Sequence, residues 1–375
     1  MQVRLANALG CPVDLTLSGA VDVSLLNAWR RCRELSVTGS RLQIHASEPR
    51  PSLPRANDSR QSLLAMSERL TTAVTVAAIT ARRFDLLMLH AGAVADPNTG
   101  AVVAFIGRSG SGKTTASIAL AQSLGYVTDE TAAIRDDLSV IPYPKPLSVI
   151  NPGPDHYKDQ VSPDDLGLRE LTGRPLRLVA LLMLDRDDDH PAGAPAVLEP
   201  LHLVDAVPEL VAQISFLGAR ERPLQRVQDL VRACGGLQRV TYRNADSLPA
   251  VVTGLLSDPE VSRRLATATI IGLPRPDEPT PTAIPASADL LLYRRCAVDD
   301  VIDEGGCLIV LKGDQVYVLD GIAPALWHAA GVASPIDELV RAVVRAHGAP
   351  AAVDTTAVVE TAIESLVSAG ILEPR

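Results

Sequence analysis

A chain of 375 residues has room for two or three domains. With 47% hydrophobic and 21% charged residues it can bury a core, which excludes a disordered chain, and a net charge of −9 without a basic stripe disfavours duplex nucleic acid, whose affinity comes from neutralising phosphates. The five cysteines, Cys11, Cys32, Cys234, Cys296 and Cys307, are odd in number, widely spaced and form no CxxC pair; this disfavours a disulfide or zinc framework and fits free thiols in a reducing cytosol.

Residues 1–60 carry short apolar alternations such as Val13–Leu17 and a helical spacing around Leu25–Leu35, with no readable function. Glu48–Ser59, rich in Pro, Arg, Asn and Ser, is expected to be a loop, and Gln61–Ala81 a helix. The opening MQVRLANALGCPVDL has no long apolar segment. Leu70–Ala81, the longest low-charge stretch, ends at Arg82-Arg83 and is too short to span a bilayer, so a cytoplasmic protein without a membrane segment is expected.

Residues 61–271 form the expected α/β domain. Phe84–Ala95 reads as a strand, Asp96–Gly100 as a turn and Ala101–Ile106 as a buried strand. A helix over Lys113–Leu124 is expected to end at Gly125 as its cap, and Tyr126–Thr128 is a short strand leading into Asp129 and Glu130. Leu176–Leu184 is a long strand followed by the acidic run Asp185–Asp189. Helices are expected at Asp205–Leu217, Pro223–Cys234 and Leu248–Leu256, with a strand at Val240–Arg243. Residues 272–289 contain GLPRPDEPTPTAIPAS and read as a linker, because so many prolines suit neither helix nor interior strand. Residues 290–375 form the last module: strands at Leu290–Val301, Cys307–Leu311 and Gln315–Leu319, then helices at Pro324–Ala330, Ser334–His347 and Thr355–Ala369.

Gly107-Arg108-Ser109-Gly110-Ser111-Gly112-Lys113-Thr114 fits GxxxxGK[ST] between a strand and a helix. Glycines at 107, 110 and 112 let the main chain curl so that successive N–H groups converge on phosphate oxygens. The helix that starts near Lys113 adds its N-terminal dipole. Lys113 would meet the β- and γ-phosphates and Thr114 would ligate Mg²⁺, with Gly107, Ser109, Gly110, Ser111, Gly112 and Thr115 completing the ATP contacts. The alternative is a Gly/Ser turn with a surface lysine.

Phosphoryl transfer also needs a carboxylate, for the metal or for the acceptor proton. Asp185, at the end of a long apolar strand, and the pair Asp129 and Glu130 both qualify. Tyr143-Pro144-Lys145-Pro146 reads as a plain Pro-rich turn, the alternative being a rigid loop over the site with Lys145 near phosphate.

His90-Ala91, a strand, the phosphate loop, its helix and then Gly125-Tyr126-Val127-Thr128-Asp129-Glu130 follow one another in an order that resembles HPr kinase/phosphorylase, a bacterial P-loop protein-serine kinase family, over about residues 84–150. The resemblance implies that Asp129 deprotonates the acceptor hydroxyl, that Glu130 stands near the metal, and that His90 lies beside the aspartate. The chain departs from the family at Glu130, usually Asp, and at Arg108, often Asp, and has no obvious counterpart of the family's C-terminal assembly and phosphorolysis segment.

In the last module, Val316-Tyr317-Val318-Leu319-Asp320-Gly321, Ala323-Pro324-Ala325-Leu326-Trp327, Glu338-Leu339 and the closing Leu366–Leu372 resemble the PqqD-like fold, the recognition element of ribosomal-peptide modification enzymes. The resemblance implies that a precursor's leader peptide adds as a strand beside Gln315, Val316, Tyr317, Val318 and Leu319, against the helix Thr355–Ala369, by β-augmentation. An ordinary winged-helix dimerisation module is the alternative. DNA binding is disfavoured, since Arg341, Arg345 and His347 cluster on one helix.

The combined expectation is an α/β P-loop kinase-like domain followed by a small α+β winged-helix-like domain. With ATP and Mg²⁺ it would phosphorylate a Ser or Thr hydroxyl on a ribosomally made precursor peptide, as a final modification or to activate the hydroxyl for elimination. Asp129, Lys113 and His90 would act at the reacting groups, and Thr114 and Glu130 at the metal. A non-catalytic leader-recognition adaptor, delivering the peptide to separate modifying enzymes, is the second reading; a small-molecule kinase or ATPase switch is the third. No nucleic-acid or membrane partner is expected, and homo-oligomerisation is left open.

Overall fold

An unbroken apolar run suits a strand covered on both faces. Ala101–Ile106 is such a run, and each of its residues is buried. In the computed structural model, which describes residues 2–18, 23–33, 42–47, 58–108, 110–150, 158–273, 291–348 and 354–375, this strand lies inside a mixed α/β unit. Among the described residues it belongs to a six-stranded sheet in the order Val197–Leu201, Leu237–Tyr242, Arg177–Arg186, Ala101–Ile106, Ala91–Ala95, Gly125–Thr128. Arg177–Arg186 runs parallel to both of its neighbours, and the remaining pairs are antiparallel. The carboxyl ends of three parallel strands therefore share one edge, where α/β sheets place their ligands.

The helix after the loop is shorter than its spacing predicts. It spans Lys113–Leu120 and is capped by Ala121. Gly125 is not its cap but the first residue of the strand Gly125–Thr128, paired with Ala95. The helix buries Ala116 and Leu120 in a cluster with Val94, Val103, Phe105 and Tyr126, which fixes its start above the end of Ala101–Ile106.

The expected strand Phe84–Ala95 is two strands that part at His90. Leu87–Leu89 pairs with Ala132–Ile134 and Ile214–Ser215 in a second sheet, whereas Ala91–Ala95 stays in the first. The chain makes the same change of sheet between Gly125–Thr128 and Ala132–Ile134. The two crossings lie side by side: Ala91 N donates to Glu130 O at 3.1 Å, and His90 N to Gln213 O at 2.7 Å. Two neighbouring sheet changes thus gather His90, Asp129 and Glu130 at one place.

The amino-terminal strands Gln2–Ala8, Cys11–Ser18 and Leu42–Ser47 form a further sheet. The helix Asp58–Ala81 joins its core through Met66, Leu70, Val74 and Ala78, all at most 3% exposed and spaced by four residues. Its apolar part reaches back to Leu63, so Leu63–Ala81 is long and apolar enough to cross a membrane, contrary to the shorter stretch read from charge alone. The buried stripe is what a core helix shows. Of the expected loop 48–59, residues 48–57 lie outside the described ones, and Asp58 and Ser59 open this helix. All five cysteines are free.

The chain divides into two compact units: Met1–Arg220 with Asp229–Ile271, and Glu221–Gln228 with Gly272–Arg375. Within the second, Asp300 accepts from Leu224 N (2.8 Å) and Gln225 N (3.1 Å), closing amides at the start of the helix Pro223–Ala233. Most of the expected proline-rich linker, residues 274–289, lies outside the described ones. The second unit holds an antiparallel meander, Asp300–Glu304, Cys307–Lys312 and Gln315–Leu319. The expected long strand Leu290–Val301 is interrupted: Leu292–Arg295 leaves the meander and pairs with Leu372–Pro374 and Ser334–Pro335. Helices Ala323–Ala329, Ile336–His347 and Thr355–Ser368 bury Leu326, Trp327, Leu339, Val343, Val359, Ile363 and Leu366 against Leu308, Val310 and Leu319.

Candidate nucleotide site

The loop leaves the strand Ala101–Ile106 at Gly107. Gly110 (φ 83°) and Gly112 (φ 87°) adopt left-handed backbone, which a side chain would strain. A Cβ at Gly107 would collide with the Ser111 side chain, so the first glycine is needed for space and the other two for conformation. Among the described residues, Ser111 N is the loop amide that closes on a main-chain carbonyl of a neighbouring residue, Arg108 O, at 3.0 Å. Ser109 lies outside the described residues.

Lys113 is 9% exposed, and its Nζ donates to Gly107 O at 2.6 Å and Arg108 O at 3.4 Å. Burial lowers its pKa, although Glu130 and Glu209 pull the other way. The ammonium therefore sits inside the curl of the loop, bonded to carbonyls that an anion can replace. The Ser111 hydroxyl is buried and, among the described residues, has no hydrogen-bond partner, a group that a phosphate oxygen would satisfy. Thr115 is exposed on the helix, with its side chain turned away from the buried face.

Thr114 Oγ1 donates to Asp129 Oδ2 at 3.3 Å. It is thus Asp129 that the fold brings to the loop threonine. Asp185 instead stands exposed at the end of Arg177–Arg186, accepts from Thr241 Oγ1 at 3.3 Å, and lines a cleft of about 720 Å³ with Arg108, Gly110, Ser111, Arg186 and Glu209. Arg108 reaches Glu209 across it at 3.6 Å.

Asp129 is 4% exposed. Its Oδ1 accepts from the Tyr126 hydroxyl at 3.1 Å and pairs with Lys145 Nζ at 2.9 Å. Lys145, fully buried, also pairs with Glu130 Oε2 at 2.8 Å and donates to Pro146 O at 3.0 Å. Burial alone would lower the Lys145 pKa, but Asp129 and Glu130 reverse this and raise it. Burial would likewise raise Glu130, yet Lys145 holds it below the ordinary glutamate value. The Tyr126 phenol is pushed well up, by burial first and then by Asp129.

Lys145 does not lie over the loop near phosphate: it is buried and bonded to both carboxylates. Asp129 has its Oδ1 on Tyr126 and Lys145 and its Oδ2 on Thr114. Glu130 keeps 34% of its side chain exposed. His90 is exposed too, and its pKa is lowered by burial of part of the ring and by Lys113, against opposing pulls from Glu130 and Asp129. The charged or titratable groups that act on Lys113 and keep access to solvent include exposed His90 and Lys158 and half-buried Glu130 and Glu209. Tyr126 was not anticipated; its only sequence signal is its place three residues before Asp129.

Among the described residues there is no group of three or more His, Cys, Asp or Glu that could hold a metal ion. Mg²⁺ is commonly held by one or two protein oxygens together with phosphates and waters. Thr114 and Glu130, with Asp129 behind Thr114, fit such a role.

No protein-family model matches the chain, and no curated protein matches it. Among solved structures, the Hpr(Ser) kinase/phosphatase from Coxiella burnetii aligns with 48% of this chain and 97% of its own at 14% identity, with a TM-score of 0.25. A likeness at that TM-score carries no argument, and the functional reading rests on the residues themselves.

Proposed function

We propose that the first unit binds ATP at Gly107–Thr115 and transfers its γ-phosphoryl group to a hydroxyl. The acceptor is a Ser or Thr of a ribosomally made precursor peptide, whose leader is held by the second unit. The observation that carries the phosphoryl-transfer reading is the loop itself: left-handed Gly110 and Gly112, an ammonium inside the curl, and a threonine hydroxyl bonded to a buried aspartate.

In the transfer, a P–O bond forms to the acceptor oxygen as the bond to the departing ADP breaks. Lys113 and the loop amides carry the phosphate charge, the dominant need in a loose transition state. A bound Mg²⁺ would supply further neutralisation of the phosphate charge. Thr114 and Glu130 would hold it, and Asp129 orients Thr114. The acceptor proton leaves to His90, which burial and Lys113 keep neutral near pH 7 and which stands exposed beside Lys113.

Support for peptide capture lies in the edge strand Gln315–Leu319. Its Lys312↔Gln315 pair closes a two-residue hairpin, so Gln315, Tyr317 and Leu319 direct their main-chain bonds inward to Cys307–Lys312. Val316 and Val318 turn theirs outward, where an added strand would bond. Burial of Asp129 behind Lys145 favours a second reading, an adaptor that binds leader and nucleotide without transfer.

Incubation with γ-labelled ATP, Mg²⁺ and a precursor peptide encoded beside this chain tests both. Label on the peptide that is lost in Lys113→Ala supports the kinase. Tight peptide binding with no label supports the adaptor.

A further inference from the structure

We infer that Lys145 is a positioning residue that clamps Asp129 and Glu130 into one arrangement and thereby sets how tightly the site holds its metal. This rests on the nucleotide reading of the loop.

The three N–H bonds of the Lys145 ammonium are all used: Asp129 Oδ1, Glu130 Oε2 and Pro146 O, at 2.9, 2.8 and 3.0 Å. An ammonium in this state cannot also serve a phosphate. What it does instead is hold two adjacent carboxylates together in a place where, unpaired, they would repel.

The segment that carries it is built to be stiff. Lys145 N donates to Tyr143 O at 2.9 Å, a three-residue turn centred on Pro144, whose ring presets the φ that such a turn needs. Pro146 restricts Lys145 to extended backbone. Tyr143 anchors the turn: its amide donates to Val127 O at 3.0 Å, and its hydroxyl lies 2.9 Å from Thr75 Oγ1 inside the core. The Tyr126 hydroxyl links back to the same segment through Lys145 O at 3.4 Å. The clamp is thus fixed from the amino-terminal core, and its force reaches the loop through Asp129 and Thr114. Glu130, held on one oxygen and 34% exposed, is aimed outward by the same contact.

The test uses the full chain with Lys145→Met. Affinity for a fluorescent ADP analogue is measured in chelator, and Mn²⁺ affinity of the protein–ADP complex by electron paramagnetic resonance. The metal-free nucleotide affinity is expected to change less than the Mn²⁺ affinity, because Lys145 reaches the loop only through Asp129 and Thr114. Mn²⁺ affinity is expected to fall about 10- to 100-fold, as when a residue that orients metal ligands is removed. The transfer rate should recover partly at high Mn²⁺. Unchanged Mn²⁺ affinity in folded Lys145→Met would overturn the inference. Should Lys145→Met not fold, Lys145→Met/Glu130→Gln restores the cluster's net charge. Against Glu130→Gln alone it is expected to lose a further several-fold in Mn²⁺ affinity through Asp129, and no further loss sinks the proposal. A wild-type protein that binds no ADP even with metal would instead overturn the nucleotide reading itself.

Discussion

At Lys145 the molecule buries charged side chains and saturates them; Gln315–Leu319 is, among the described residues, the last strand of its sheet. In the first region the cluster is 0% exposed at Lys145 and 4% at Asp129, so its behaviour depends on which side chains are present. In the second, Val316 and Val318 are only part-buried, and what they offer is an N–H and a C=O common to almost every residue. Each kind of substitution should therefore be felt in its own region. Chemistry changes should matter at the site in the first unit, and backbone changes at the edge in the second.

The sharpest break would come at the loop. Lys113→Ala removes the ammonium from the curl and is expected to slow γ-phosphoryl transfer on the order of 10²- to 10³-fold, read by label incorporation into peptide. Peptide affinity should not change, since the edge strand uses no side chain of the loop.

His90→Gln should cost about 10²-fold in rate and also alter the pH profile. Burial and Lys113 lower the pKa of His90 from 6.5, so the ring accepts a proton throughout neutral pH and is blocked by protonation only in acid. The wild-type rate should therefore hold as pH falls through 6.5 and decline below it. If His90→Gln keeps the same acid limb, another group takes the proton.

On the edge strand the contrast is between neighbours. Val318→Pro removes an outward N–H and should weaken leader binding at least about tenfold while the unit stays folded. Tyr317→Pro removes an N–H that faces Val310 in the meander, and should lower the melting temperature instead. Calorimetry with the leader peptide and thermal melts separate the two. Equal affinity in Val318→Pro would mean that the leader docks elsewhere.

The smallest effect is expected for Tyr126→Phe. It deletes the hydroxyl bonded to Asp129 at 3.1 Å and should destabilise by about 1 kcal/mol in urea unfolding, with transfer only modestly slower because Lys145 and Thr114 still hold the carboxylate.

The curled loop Gly107–Thr114 was legible because its geometry is local. Glycines that permit left-handed backbone, a lysine and a threonine stand within eight contiguous residues, and no distant contact is needed to curl them. The strand Ala101–Ile106 was legible for the same reason, since burial on both faces writes a short-range pattern. The end of the helix at Leu120 was not: Gly125 has the composition of a cap, but pairing with Ala95 claims it for a strand. The strand change at His90 was also hidden, because one apolar run can serve two sheets without any break in hydrophobicity.

By itself, then, the order of residues determined the loop's curl, the α/β character of the chain and the candidates His90, Asp129 and Glu130. Their surroundings come from long-range packing. Lys145 stands 16 residues after Asp129 in the sequence yet 2.9 Å from its carboxylate in space. Nothing local distinguishes a lysine between two prolines on a surface turn from one sealed under two carboxylates. Burial is set by the long-range packing of Tyr143 and Thr75, and burial turns that lysine from a solvated cation into a clamp.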